Sequence, residues 1–242
     1  MKTTANKMKV EIWSDIMCPF CYIGKRKFET ALSQFNHASD VKIVWKSFLL
    51  SPDMKTAPDK NIHQFLAEHK DISIEQARNL NNQVALSAQQ NGLVYNFDKT
   101  IPANSFNAHR LSHLAKQHGL QDDAEEILFK AYFTDGKNID DISTLIQLGV
   151  EIGIDENEVK TALKNNSYAD EVRQNVYQAR QIGVRGVPFF LFNNKLAVTG
   201  AQDSSVFLNT LEKALSEWKK ENSQSTTEII DGQFCDTEGE CK

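Results

Sequence analysis

In the stretch MKVEIWSD the apolar Met8, Val10 and Ile12 alternate with Lys9 and Glu11, the period of two expected of a half-buried strand. The alternation stops at SDIMCPFCYIGK. After Pro19, a residue suited to the first helical turn, Tyr22, Phe28, Leu32 and Phe35 recur at spacings that place them on one side of a helix. VKIVWKSFLL, rich in Val, Ile and aromatic residues, predicts a second strand. Strand, helix and strand make a βαβ unit, whose crossover is expected to be right-handed.

From about residue 57 to residue 182 the strand pattern gives way to helix punctuation. Ser73 to Gln76 reads as a capping box, and Gly92 stands where a glycine would close that helix. Further starts are expected at Asp122, Asp141 and Asp155, and further stops at Gly119, Gly136, Gly153 and Gly183. Val172, Val176 and Ala179 form an apolar stripe that needs a partner. The segment predicts a domain of some six helices. Strands return in VPFFLFNNKLAVTG, where Asn193 and Asn194 tolerate the positive φ of a tight hairpin, and Leu208, Leu211, Leu215 and Trp218 share one face of a last helix. The expected order is β, α, β, helical insertion, β, β, α. Residues 1–56 and 183–220 would form one α/β domain, residues 57–182 an inserted helical domain, and residues 221–242 a mobile acidic tail.

Composition narrows the function. With 27 basic against 32 acidic residues the formal net charge is -5, and Lys and Arg gather into no long run, so nucleic acid is not an expected partner. The first residues lack the apolar stretch of a secretory signal, and no window approaches the roughly 18 consecutive apolar residues of a membrane span. These absences predict a cytoplasmic protein without membrane contact. In a reducing compartment permanent disulfide staples are disfavoured, which turns attention to the pair Cys18 and Cys21.

A C-x-x-C pair is half of a zinc site, a buried accident or a redox couple. A structural zinc site needs about four ligands, yet the other cysteines, Cys235 and Cys241, are spaced C-x5-C in the tail. Cys18 falls where the first strand hands over to the first helix. There the unpaired amides and the positive end of the helix dipole stabilise a thiolate, the attacking species in disulfide exchange. A second thiol one turn later can reach the mixed disulfide and expel the leaving group. Cys18 is therefore expected to attack and Cys21 to resolve, with no metal. His109 and His113 stand four residues apart, but no third ligand accompanies them. On a helical wheel Phe106, His109 and His113 point away from the apolar face of Ala108, Leu111, Leu114 and Ala115, which predicts a solvated or cleft-lining surface.

CPFCYIGK, the strand before it, the helical insertion, and GVRGVPFFLFNN with its hairpin and helix together resemble the DsbA family of thioredoxin-fold oxidoreductases over roughly residues 8–219. The likeness is to the cytoplasmic FrnE-type branch, related to 2-hydroxychromene-2-carboxylate isomerases and kappa-class glutathione transferases. It implies an α/β thioredoxin fold with a long all-helical insertion domain, and a protein-disulfide oxidoreductase acting on disulfide-containing proteins or small thiols. No cofactor is implied beyond the redox-active disulfide, with glutathione as a candidate co-substrate. Val187 and Pro188 match the family's cis-proline loop, which offers backbone groups to a bound peptide or thiol. Pro19 and Phe20 match the dipeptide that tunes the redox potential. The best-known oxidants have His at the second of these positions, so Phe20 does not favour strong oxidising power. Asp15 recurs in this branch as a group that accepts or relays a proton, although Asp also favours turns. Asn104 and His109 belong to NSFNAHRLSHLA, which resembles a cleft-facing segment of the helical domain. Three alternatives stay open: a glutathione-dependent isomerase or transferase, whose members characteristically have Ser in place of the first Cys; a non-enzymatic redox sensor; and a zinc-binding or holdase module. Cys235 and Cys241 are either two reduced thiols or a second redox pair that exchanges with Cys18. Nothing in the sequence fixes the oligomeric state.

Overall fold

The first strand, β1 (Met8–Ser14), lies in the interior of a four-stranded sheet. The computed structural model describes residues 7–223. β1 pairs in parallel with β2 (Val41–Ser47), from Met8 opposite Val41 to Ser14 opposite Ser47. On its other side it pairs antiparallel with β3 (Phe189–Phe192), which forms a hairpin with β4 (Leu196–Thr199). Asn193 and Asn194 have φ of 48° and 56°. The amide of Lys195 donates to the carbonyl of Phe192 at 3.0 Å across them, as a hairpin turn with two positive-φ residues requires. The alternation in β1 predicts one buried face, whereas both faces are covered. Glu11, only 7% exposed, meets this burial by pairing with Lys46 at 3.2 Å and Lys9 at 3.0 Å.

One face of the sheet carries α1 (Pro19–Gln34) and α9 (Ser204–Ser223). Phe28, Phe190, Phe192 and Phe207 are buried there with Leu211, and each full burial of this kind contributes roughly 1.5–3 kcal/mol. The opposite face receives α8 (Ala169–Gln181). There the Trp13 indole donates to the Asn175 carbonyl at 3.1 Å, and the Asn175 side chain accepts from the Ser47 amide at 3.1 Å. The last helix extends to Ser223, three residues into the segment expected to be tail.

Between β2 and β3 run α2 (Ile62–Lys70), α3 (Ile74–Gln89), α4 (Phe106–Gln117), α5 (Gln121–Phe133), α6 (Ile142–Glu151), α7 (Glu156–Lys164) and α8. The molecule is thus an α/β thioredoxin fold with a helical insertion. The insertion has seven helices among the described residues rather than some six. The additional one is α2, whose capping box uses Asn61 and Gln64. Ser73, Asp141 and Asp155 cap α3, α6 and α7 as their sequences predict. Asp122 does not cap α5; it lies within the first turn, and the helix begins at Gln121.

The insertion's core holds Leu111, Leu128, Phe129, Leu145 and Leu148, and the same cluster includes Ile16, Cys18, Cys21, Tyr22 and Ile23. The outer face of α1 therefore packs into the insertion, while its inner face packs on the sheet. Tyr22 and Arg26 of α1 bind Glu126 of α5, the tyrosine hydroxyl at 2.6 Å. This seam fixes where the start of α1 stands.

Candidate active site

β1 ends at Ser14, and the backbone turns at once: the Cys18 amide donates to the Asp15 carbonyl at 2.9 Å. Cys18 is the N-cap of α1, and Pro19, lacking an amide donor, opens the helix. The Cys18 side chain caps no amide. Its Sγ instead donates to the Val187 carbonyl at 3.6 Å. The Val187–Pro188 peptide bond is cis. Both cysteines are free thiols, 5% and 1% exposed. Burial, followed by the neighbouring Cys18 side chain, raises the Cys21 pKa well above the ordinary thiol value, against lowering by the Asp15 backbone and the Ser14 side chain. Phe20, between them, is 47% exposed. The phenyl ring thus borders solvent, whereas both thiols are buried, Cys21 the more deeply.

Asp15 is completely buried. One carboxylate oxygen accepts from the Met17 amide at 3.2 Å and the other from the Leu50 amide at 2.7 Å. It ties the active-site turn to the segment after β2. His109 Nε2 stands 3.6 Å from the same carboxylate. The expectation of a solvated or cleft-lining histidine face is corrected here: His109 and His113 are 1% and 4% exposed, enclosed between α4 and the strand ends. His113 Nε2 meets Ser47 Oγ at 3.1 Å, and burial pushes its pKa down to about 3. A wheel drawn for one helix cannot see that a sheet edge and α5 cover its second face.

Asn104 does not reach the thiols. Its side chain donates to the carbonyls of Pro52 at 3.2 Å and Met54 at 2.9 Å and accepts from the Phe106 amide at 2.8 Å, so it pins the loop before α2 to the start of α4. Three residues of α1 and the insertion carry no local signature in the sequence. The Tyr95 hydroxyl donates to the Pro19 carbonyl at 2.7 Å, and burial, then the charge of Cys18, pushes its pKa up. Gly24 faces the proline loop so closely that a Cβ there would lie 2.9 Å from Pro188 Cγ. Glu125 of α5 is buried and binds Ser112 at 2.6 Å. A glycine inside the amphipathic first helix is the only one of these that sequence reasoning had grounds to question. Beside Met17 and Pro19 a cavity of about 320 Å³ opens, lined also by Leu50, Ile62, Phe65 and Phe97. Cys235 and Cys241 lie outside the described residues. No helix among the described residues is long and apolar enough to cross a membrane.

A family model described as DSBA-like thioredoxin domain matches residues 9–212. The chain is 28% identical over 213 residues to the Bacillus subtilis (strain 168) protein YwbO, covering 87% of this chain and 97% of that one. Among solved structures, a probable DsbA oxidoreductase from Streptomyces coelicolor superposes with a TM-score of 0.81 at 36% identity, covering 97% of this chain and 98% of that one. The cytosolic disulfide reductase DsbM from Pseudomonas aeruginosa shares the fold, with a TM-score of 0.57 at 14% identity over 90% of this chain and all (100%) of that one.

Proposed function

The chain belongs to the DSBA-like thioredoxin family, and from that premise we propose that it catalyses thiol:disulfide exchange with Cys18 as nucleophile and Cys21 as resolving thiol. The observation that carries this is the unequal placement of the two sulfurs: Cys18, at the N-cap of α1, has its Sγ 3.6 Å from the Val187 carbonyl, and Cys21, one turn on, is the more deeply buried. A substrate disulfide meets the N-cap sulfur first. The Cys18 thiolate attacks it, a mixed disulfide forms, and Cys21 displaces the substrate thiol. The Val187–Pro188 loop supplies backbone groups to the incoming peptide or thiol, Phe20 offers it an exposed apolar face, and Asp15 with His109 supports the turn. The substrates are disulfide-containing proteins or small thiols, with glutathione as co-substrate, no bound cofactor or metal, and a cytoplasmic setting of the FrnE type.

The test is turnover. Purified protein with glutathione should reduce a small disulfide such as hydroxyethyl disulfide well above background, and Cys18→Ser should return the rate to background. Full turnover by Cys18→Ser would remove the proposed nucleophile.

A further inference from the structure

Cys18 attacks as a thiolate, yet its thiol is turned toward an acceptor: Sγ donates to the Val187 carbonyl at 3.6 Å. A carbonyl oxygen has nothing to donate to a thiolate, so once the proton leaves, the sulfur needs a donor instead. At the N-cap of a helix that donor is an amide of the first turn. Pro19 has no amide, and the Cys21 amide already donates to the Cys18 carbonyl at 3.0 Å. Among the described residues the Phe20 amide has no acceptor, as the first amides of a helix find none within it. Phe20 therefore offers the first free backbone donor to the Cys18 thiolate.

The Phe20 amide and the Pro19 carbonyl are two ends of one peptide unit, and the carbonyl end is gripped from outside the helix. The Tyr95 hydroxyl donates to it at 2.7 Å, across 76 positions of sequence. Tyr95 is itself held in place. Its ring stacks on Phe133 and on Tyr22, with centroids 4.6 Å and 6.1 Å away. Its stretch of chain is tied on both sides: the Leu93 amide donates to the Ala88 carbonyl at 3.0 Å, the Asn96 amide to the Phe133 carbonyl at 2.6 Å, and Thr134 Oγ1 to the Val94 carbonyl at 2.6 Å. The insertion thus aims one hydroxyl at one carbonyl of the active-site turn.

We propose that Tyr95 is a positioning residue of the exchange reaction: by drawing on the Pro19 carbonyl, its hydroxyl strengthens and orients the Phe20 amide as the donor that receives the Cys18 thiolate. This rests on Cys18 as the attacking thiol. A hydrogen bond accepted at one end of a peptide unit polarises it and strengthens the bond donated at the other, by roughly 10–30%. Here the donated bond is to a charged sulfur, and bonds to charged groups are the stronger class. Tyr95 acts on Cys18 through the Pro19–Phe20 peptide unit. Because only the reduced state holds a thiolate, the same contact favours the dithiol over the disulfide. In that equilibrium the reduced protein and glutathione disulfide give the Cys18–Cys21 disulfide and two molecules of glutathione. The cysteine pair loses two electrons, glutathione disulfide gains them, and the two thiol protons pass to the glutathione sulfurs.

The surrounding charges suit a hydroxyl that stays a donor. Burial, then the charges of Cys18, Tyr22 and Cys21, raise the Tyr95 pKa, with Arg26 opposing. A phenolate there would face a thiolate and could donate nothing to a carbonyl. Around Cys18 itself stand Cys21 on α1, whose own pKa burial and Cys18 raise, Asp15 in the preceding turn with His109 of α4 at 3.6 Å from its carboxylate, and Tyr95 from the insertion. Two acids, a thiol and a histidine already beside a carboxylate leave the backbone to receive the thiolate.

The experiment reads the pH dependence of Cys18 alone. Full-length Cys21→Ser protein, with and without Tyr95→Phe, is alkylated with iodoacetamide across a series of pH values, and modification of residues 14–25 is followed by mass spectrometry. Loss of the hydroxyl should raise the midpoint of the Cys18 profile by about 0.5 pH unit, a factor of about three in thiolate population. In the protein with both active-site cysteines, Tyr95→Phe should shift the equilibrium with glutathione disulfide by about threefold toward the Cys18–Cys21 disulfide. Phenylalanine keeps the stacked ring, so the fold is preserved. Thr134→Val separates the hydroxyl from the packing of its loop, because it releases the Val94 carbonyl and leaves the Tyr95 hydroxyl in place; its midpoint should match that of the parent. An unmoved midpoint in Tyr95→Phe would overturn the proposal. Equal movement in Tyr95→Phe and Thr134→Val would do the same, since the loop and not the hydroxyl would then set the thiolate. A Cys18 that glutathione disulfide fails to modify in the protein with Tyr95 intact would instead sink the exchange chemistry itself.

Discussion

Glu125 keeps an ionisable carboxyl inside the protein at a cost to stability. Its pKa of about 6 is raised from the ordinary 4.5, chiefly by burial. For a group whose folded pKa is raised, the stability it contributes is complete below the unfolded value and is lost as pH rises through the folded one. The window is therefore about pH 4.5 to 6, and the loss amounts to ~2 kcal/mol at 1.36 kcal/mol per unit. Urea unfolding should show Glu125→Gln more stable than the unmodified protein by that ~2 kcal/mol at pH 7.5, the difference shrinking steadily toward pH 4. A difference independent of pH would mean that the carboxylate is not desolvated. At this scale legibility depended on motif. Cys18 and Cys21 stand in a short pattern whose chemistry names them, whereas Pro188 and Asp15 were named by the family resemblance. Tyr95 is chosen by a contact with Pro19, 76 positions away, and Glu125 by burial between helices, which no local pattern records.

At the scale of elements, α1 is the part on which the site depends. Its first turn holds the cysteines, its inner face packs on the sheet and its outer face enters the insertion's core. Gly24 is where the helix meets the Val187–Pro188 loop. Replacing an interior helical glycine by alanine ordinarily stabilises by about 1 kcal/mol. At Gly24 the new Cβ would lie 2.9 Å from Pro188 Cγ, so helix or loop must shift. Gly24→Ala should therefore leave thermal stability nearly unchanged while slowing disulfide exchange by about tenfold or more, as small misplacements near reacting atoms do. An unaltered rate would show that the loop does not set the site's geometry. Strands and capped helices were legible because alternation, Asx and Ser caps, and glycines such as Gly92 and Gly183, both with positive φ, are local signals. The burial of β1 on both faces and of the α4 histidines was not, because it is conferred by α8, α5 and the strand ends, which no local window contains.

For the whole molecule, the insertion does more than interrupt the sheet domain. It closes over Cys21, brings Tyr95 to the Pro19 carbonyl and sets His109 of α4 against Asp15. The order of elements was legible from the alternation of period-2 and helical stretches. The enclosure was not, since it arises from packing between elements far apart in sequence. It also explains why two thiols three positions apart should behave unequally: one lies against the Val187 carbonyl, the other is more deeply buried one turn on. The most direct test incubates the full-length protein, Cys18→Ser and Cys21→Ser separately with glutathione disulfide and maps residues 14–25 by mass spectrometry. Unequal roles predict a Cys18–Cys21 disulfide in the unmodified protein, a stable glutathione adduct on Cys18 in Cys21→Ser, and no adduct on Cys21 in Cys18→Ser. Equal labelling of the remaining cysteine in both variants would contradict the assignment of Cys18 as the attacking thiol and Cys21 as the resolving one.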